Sequence, residues 1–253
     1  MVRLRIKYKK VGAIRFASHR DLLRGFRRAF AAGEVPVCYS QGFNPHPRLS
    51  FGPSLRTGWE GLDEYLDVML EHPISDLDSR CNAKLSEGLE ILACARVEKS
   101  VPKLSADIQA ARYEVAVDEG SLIDGCNPQW DNFIQTASGV GETVEGWRSL
   151  ISALESDIRV HYQREDVENS EECEGGEPSL LEIEVSRDGG SLRIAYLCTM
   201  WQGKGLFPEF LERYIGDSQE LETPVRVVRT GLYVKRGGVY HSPISEGVVQ
   251  NSL

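Results

Sequence analysis

Val2-Arg3-Leu4-Arg5-Ile6-Lys7-Tyr8-Lys9 alternates apolar and cationic residues without interruption. A period of two sends successive side chains to opposite sides of a strand, so this stretch should form a strand with one apolar and one cationic face. Gly12 breaks the pattern, and Ser18 with Asp21 three residues later reads as a capping-box start, Asp standing where Glu is preferred. The helix should run to about Ala32 and stop at Gly33. Leu22, Leu23, Phe26 and Phe30 fall on one stripe of it, and Arg20, Arg24, Arg27 and Arg28 on another.

Working outward, residues 49–55 should be a second strand, Gly58 and Gly61 a turn, and residues 64–71 a third strand with Leu66, Val68 and Leu70 inward. Ser75 or Asp76 starts a helix bearing Leu77, Cys81 and Leu85, Gly88 closes it, and residues 89–97 form an apolar strand. This is the split βαβ order of a ferredoxin-like domain, in which both helices cover one face of the sheet. Val2, Leu4, Ile6 and Tyr8 should then meet the helices, leaving Arg3, Arg5, Lys7 and Lys9 on the open face.

A second unit repeats the order. It has a strand at 113–117, a helix at 128–137, an added helical stretch at 147–154 and an extended segment at 157–162. A hairpin follows, with strands at 180–185 and 192–198 around Asp188-Gly189-Gly190, then a helix at 208–215 and a last strand at 225–234. The expected class is α+β, with tandem ferredoxin-like domains. The first spans 1–98 and carries the basic face, a linker with a helical turn near 104–110 spans 99–111, and the second spans 112–235. Between Glu165 and Glu177 lie seven acids and no base, which reads as a disordered insertion decorating the second domain. Residues 236–253, rich in Gly and Ser, read as a flexible tail.

The net charge of −9 hides a strong polarity. Residues 1–58 hold twelve Lys/Arg against two acids, a net of +10, leaving 17 bases against 36 acids in the remainder. Such polarisation suits a chain that turns one surface toward an anion. No apolar run reaches membrane length and no charged-then-apolar leader is visible, so the expected compartment is the cytoplasm, without membrane contact. The six cysteines (38, 81, 94, 126, 173 and 198) and five histidines are dispersed, so neither a metal site nor a cofactor is expected.

Residues 39–50 read Tyr-Ser-Gln-Gly-Phe-Asn-Pro-His-Pro-Arg-Leu-Ser, with no charge before Arg48. Pro45 and Pro47 fix their own φ and push Asn44 and His46 toward extended conformations, holding the His46 ring on a stiff arm. One reading is a rigid crossing loop; the other is a recognition loop built from Tyr39, Ser40, Gln41, Gly42, Phe43, Asn44, Pro45, His46 and Ser50. Arg3, Arg5, Lys7, Arg24, Arg27, Arg28 and Arg48 are candidate phosphate contacts, Arg giving forked bonds. Phe43 and Tyr39 are candidates for stacking on unpaired bases, whereas Tyr8 points inward by alternation. His19 and His46 flank the basic region and, if they meet, would form a metal-independent acid–base pair for cutting RNA. Gly203-Lys204-Gly205 before the Pro208 helix is an incomplete phosphate-loop pattern and reads as a turn.

Arg15-Phe16-Ala17-Ser18-His19-Arg20-Asp21-Leu22, followed by the 39–50 loop, resembles the radical-SAM-linked protein family, also called domain of unknown function 2344. Glu64-Tyr65-Leu66-Asp67 and Val227-Val228-Arg229-Thr230 are similar to two further signatures of that family, while Arg20 departs from its usual Leu. The resemblance implies a protein fused behind, or encoded beside, a radical SAM enzyme. This chain has no cysteine triplet spaced to hold that enzyme's cluster. The family is also distantly similar to CRISPR repeat-processing endoribonucleases, a likeness of fold that does not transfer catalysis. The expected function is a non-catalytic accessory protein that binds RNA and presents it to the radical SAM partner. The alternatives are a metal-independent endoribonuclease using His19 and His46, and a protein-only adaptor docking on that partner.

Overall fold

The computed structural model describes residues 1–118, 180–188, 191–201, 204–205 and 225–245. Their strands are β1 (Val2–Lys10), β2 (Leu49–Phe51), β3 (Glu60–Leu70), β4 (Leu89–Val97), β5 (Ile108–Asp118), β6 (Leu180–Asp188), β7 (Ser191–Trp201), β8 (Lys204–Gly205), β9 (Val225–Arg236) and β10 (Val239–His241). The helices are α1 (His19–Ala32), α2 (Leu77–Asn82) and the single turn α3 (Leu104–Asp107), with a 3-10 turn at Gly12–Phe16. Among the described residues the architecture is mixed α/β, dominated by a mixed sheet with few helices. The chain divides into two compact units, one of Met1–Tyr113, Gln202–Lys204 and Val228–Leu253, the other of Glu114–Trp201 and Gly205–Val227.

In the first unit β1 pairs antiparallel with β3 on one side and β4 on the other, and β2 pairs antiparallel with β3. This gives the order β4-β1-β3-β2, with α1 after β1 and α2 after β3. Leu4, Ile6 and Tyr8 of β1 pack with Leu22, Phe26, Ala29 and Phe30 of α1, Leu66, Val68 and Leu70 of β3, and Leu77 and Cys81 of α2. The Tyr8 and Phe26 rings meet edge-to-face at 5.1 Å. Ser18 accepts from the Asp21 N–H while Asp21 caps the Ser18 N–H, so α1 begins with the expected capping box and ends at Gly33.

The opposite face of this sheet is covered, which corrects the expectation of an open cationic face. Arg5 is fully buried. It donates to both carboxylate oxygens of Asp67 at 2.8 and 3.1 Å, to Asp107 of α3 at 3.4 Å and to the Pro243 carbonyl at 3.2 Å. Residues 99–111, expected as a linker with a helical turn near 104–110, contain the turn α3 and the start of β5, with Leu104, Asp107 and Ile108 buried. Residues 239–241 pair with β9, and Ser242 reaches the Tyr65 hydroxyl at 3.0 Å, so this part of the expected tail is ordered against the sheet.

β9 also belongs with the first unit from Val228 onward. It pairs in parallel with β3 at Glu60↔Val228 and Gly61↔Arg229, on the edge that β2 occupies farther along. Residues 228–236 therefore complete the N-terminal sheet, where the sequence had assigned them to a second domain. In the second unit, β6 and β7 form the expected hairpin, with Ile183 opposite Tyr196 and Val185 opposite Ile194. The helices expected at 128–137, 147–154 and 208–215, the extended segment at 157–162, the acidic stretch at 165–177 and residues 246–253 lie outside the described residues.

Candidate functional site

The two signatures Glu64–Asp67 and Val227–Thr230 meet in the interior. Arg229 donates from Nε and Nη2 to Glu64 at 2.7 and 2.5 Å, and also to the Pro53 carbonyl at 2.8 Å. Tyr8 lies in the same region: burial, reinforced by the Glu64 charge, raises its hydroxyl pKa. Burial lowers the pKa of Lys10, whose ammonium donates to the Ala17 carbonyl at 3.0 Å. Tyr65 donates to Asp63 at 2.5 Å, and its pKa is raised by burial and by that carboxylate. Glu64, Tyr65, Asp67 and Arg229 are buried, and the Glu64–Arg229 pair ties β3 to β9.

The cations of β1 are likewise engaged. Arg3 donates to the carbonyls of Glu98 and Val101 at 2.6 and 2.5 Å, Lys7 pairs with Asp63 at 2.7 Å, and Lys9 pairs with Glu90 at 2.5 Å. Arg5 is inaccessible to any external phosphate, and Arg3 and Lys7 have their charge met by carbonyls and a carboxylate. Of the candidate phosphate contacts on β1, Arg5 is sealed inside the fold, and Arg3 and Lys7 are partly exposed and already paired. Period-two alternation locates a face correctly but cannot reveal that Asp63 and Asp67 of β3 oppose it, nor that α3 and residues 242–243 cover it.

Helix α1 differs. Its apolar stripe is buried, while Arg20, Arg24 and Arg28 are exposed and Arg27 is half-buried. The Arg24 side chain is 69% exposed, touching Asp21 only at 3.4 Å, and the buried Arg27 Nε has no hydrogen-bond partner among the described residues. The spacing 20, 24, 27 and 28 aligns these guanidiniums along the outer face, because residues three and four apart on a helix are neighbours.

Residues 38–48 form a braced hairpin. The Arg48 N–H donates to the Cys38 carbonyl at 2.8 Å, Tyr39 and Pro47 bridge, and the Ser40 N–H donates to the His46 carbonyl at 2.8 Å. The His46 N–H returns a bond to Ser40 Oγ at 3.0 Å. Gly42 at the tip takes φ = +132°, a conformation glycine adopts without penalty. Phe43 is fully exposed and Tyr39 is 53% exposed, with Gln41, Asn44, His46 and Arg48 also at the surface. Ser50 pairs with Asp67 in the backbone ladder as part of β2.

The hairpin runs into β2, whose Phe51 meets the His19 ring edge-to-face at 4.8 Å and also contacts Tyr8 and Phe26. Phe51 was not among the expected site residues; its only sequence signal is an aromatic following the loop. Through it the start of α1 and the strand leaving the hairpin are joined. The described ring contact of His19 is with Phe51, whereas His46 is held through its backbone by Ser40.

From Val35 to Trp59 the sequence holds no Asp or Glu, although the chain has 38. The site is thus an arginine-lined helix face joined to an acid-free hairpin that exposes aromatic, amide and imidazole groups. Such a surface suits a ligand with negative charge and planar rings. No helix of the described residues is long and apolar enough to cross a membrane. No curated protein matches the chain. A family model described as an uncharacterized protein conserved in bacteria matches residues 3–175, and the chain accordingly belongs to the domain of unknown function 2344 family.

Proposed function

We propose that this protein is a non-catalytic accessory subunit that binds RNA on the outer face of α1 and the 38–48 hairpin, and presents it to a radical SAM enzyme in the cytoplasm. The observation that carries the RNA part is the row of exposed Arg20, Arg24 and Arg28 with half-buried Arg27 among them, beside a segment without acids, in a chain whose other basic face is internally neutralised. Arg48, exposed on the hairpin, is a further candidate phosphate contact. The radical SAM partner rests on the family resemblance alone. A tandem ferredoxin-like architecture goes with the proposal, supported by the β4-β1-β3-β2 order in the first unit.

Phosphate neutralisation releases counterions, so affinity should fall steeply with salt, with a log–log slope of about −0.7 per phosphate contacted on a single strand. The test is filter binding of the full chain to total cellular RNA from 50 to 200 mM salt, repeated with Arg24, Arg27 and Arg28 all changed to Gln. A steep slope that flattens in the triple variant supports the proposal. Salt-independent binding, or none, rejects it. Nuclease-resistant co-purification with a radical SAM enzyme by a chain that does not bind RNA would instead establish a protein-only adaptor.

A further inference from the structure

The hairpin tip carries more information than charge. Phe43 is at 107% of its reference exposure, so its ring stands open to solvent. Around it, residues 40–46 offer hydroxyl, amide and imidazole groups, with Pro45 as the one other apolar residue apart from Gly42. A protein-docking knob is usually set in an apolar patch, whereas here polar groups surround a single ring. From the proposed RNA reading, on which this step rests, we infer that the ligand is single-stranded RNA and that an unpaired base stacks on Phe43.

Three observations carry the inference. The tip is preorganised: the Cys38–Arg48 and Ser40–His46 hydrogen bonds, the Tyr39–Pro47 bridge and two prolines fix it before binding, so little ordering entropy is lost. The ring is presented free of neighbours, leaving its face open to a base, while Tyr8 is buried in the core and Tyr39 is half-exposed at the base of the hairpin. Gln41 and Asn44 supply the donors and acceptors that read the edges of splayed-out bases. A duplex would not use this device, because A-form RNA keeps its bases stacked inside and its major groove is too narrow for side chains.

The experiment compares the full chain with its Phe43→Ala, Phe43→Leu and Phe43→Trp variants, each binding a 20-nucleotide unstructured RNA and a 20-base-pair RNA duplex. Thermal melts confirm that the variants are folded, as expected for a side chain without internal contacts. Base–aromatic stacking is lost by alanine substitution with a cost equivalent to about five- to 150-fold in affinity. The expected result is a loss in that range for single-stranded RNA with Ala and with Leu, retention with Trp, and little change for duplex. Equal binding of single strand and duplex, both indifferent to Phe43 yet dependent on the α1 arginines, would overturn stacking while leaving RNA binding intact. A Leu variant that binds like Phe would also overturn it, since an aliphatic side chain supplies burial without a π-face. Absence of any RNA binding removes both readings together.

Discussion

Glu64 and Arg229, 165 residues apart, meet in a two-pronged ion pair in which the side chains are only 3% and 1% exposed. Each belongs to a separate sequence signature, and the pair joins β3 to β9 where the two strands run parallel. The geometry explains why acids and an arginine stand inside otherwise apolar strands. It also separates the signature residues buried in the fold from those of the 39–50 hairpin that stand at the surface.

Removing one partner of a buried ion pair strands the other charge, which typically costs about 3–5 kcal/mol. Arg229→Met and Glu64→Gln should each lower unfolding stability by roughly that amount, measured by urea denaturation. The double variant should recover part of the loss, because no uncompensated charge remains. A double variant as unstable as the sum of the singles would show that the two residues act independently.

Arg5 and the α1 arginines should separate cleanly in experiment. Arg5→Lys keeps the charge but loses the fork that spans Asp67 and Asp107, so it should reduce stability by about 2 kcal/mol or more. RNA affinity of the fraction that remains folded should not change. Replacing Arg24, Arg27 and Arg28 with Gln should do the reverse, leaving the melting temperature nearly unchanged and reducing the salt slope by roughly 2. Paired melting and binding curves decide the matter.

Gly42 offers a test of hairpin geometry. A Cβ there meets nothing within 4 Å, so space is not limiting, but φ = +132° is strained for any other residue. Gly42→Ala should cost about 1–2 kcal/mol locally, redirect Phe43 and weaken binding of unstructured RNA, with little effect on the global unfolding midpoint. An unchanged affinity would mean that the tip conformation is irrelevant to binding.

The capping box gives a pH signature. The Ser18 hydroxyl, followed by its backbone N–H, holds the Asp21 carboxyl below the usual aspartate range. A folded-state pKa depressed below the unfolded value contributes stability that is present above the unfolded value and lost as pH falls through the folded one. The stability contributed by Asp21 should therefore be intact at neutral pH and fade below about pH 4. Ser18→Ala should shrink that pH-dependent part and, by removing the cap, lower stability at pH 7 as well. Urea titrations of both proteins at pH 7 and pH 2.5 measure the difference.

The sequence disclosed what depends on local pattern. The alternation in β1, the Ser18/Asp21 cap and the Gly33 stop placed the first strand and helix, since each is a short-range physical signal; the four-residue step from Leu77 to Cys81 found α2, but the helix ends at Asn82 before Leu85, and Gly61, expected in a turn, lies inside β3. It could not disclose partners set by long-range pairing. Arg5 and Arg24 are equally basic in sequence, yet one is sealed by Asp67 and Asp107 while the other stands in solvent. The membership of β9 in the first sheet was hidden because a strand's periodicity names its faces and not its neighbours. For the hairpin, the two prolines and the lack of acids were legible, but the bracing through Ser40 and Pro47 and the bare Phe43 ring were not.

The placement of β9 bears on biosynthesis. Translation proceeds at about 5–20 residues per second, so Glu64 leaves the ribosome roughly 10–30 s before Arg229 follows it. During that interval one edge of β3 near Gly61 is open and the Glu64 carboxylate lacks its guanidinium. Until Val228 emerges, the nascent N-terminal half therefore carries an unpaired strand edge, and a chain ending before Val228 would lack this part of the sheet.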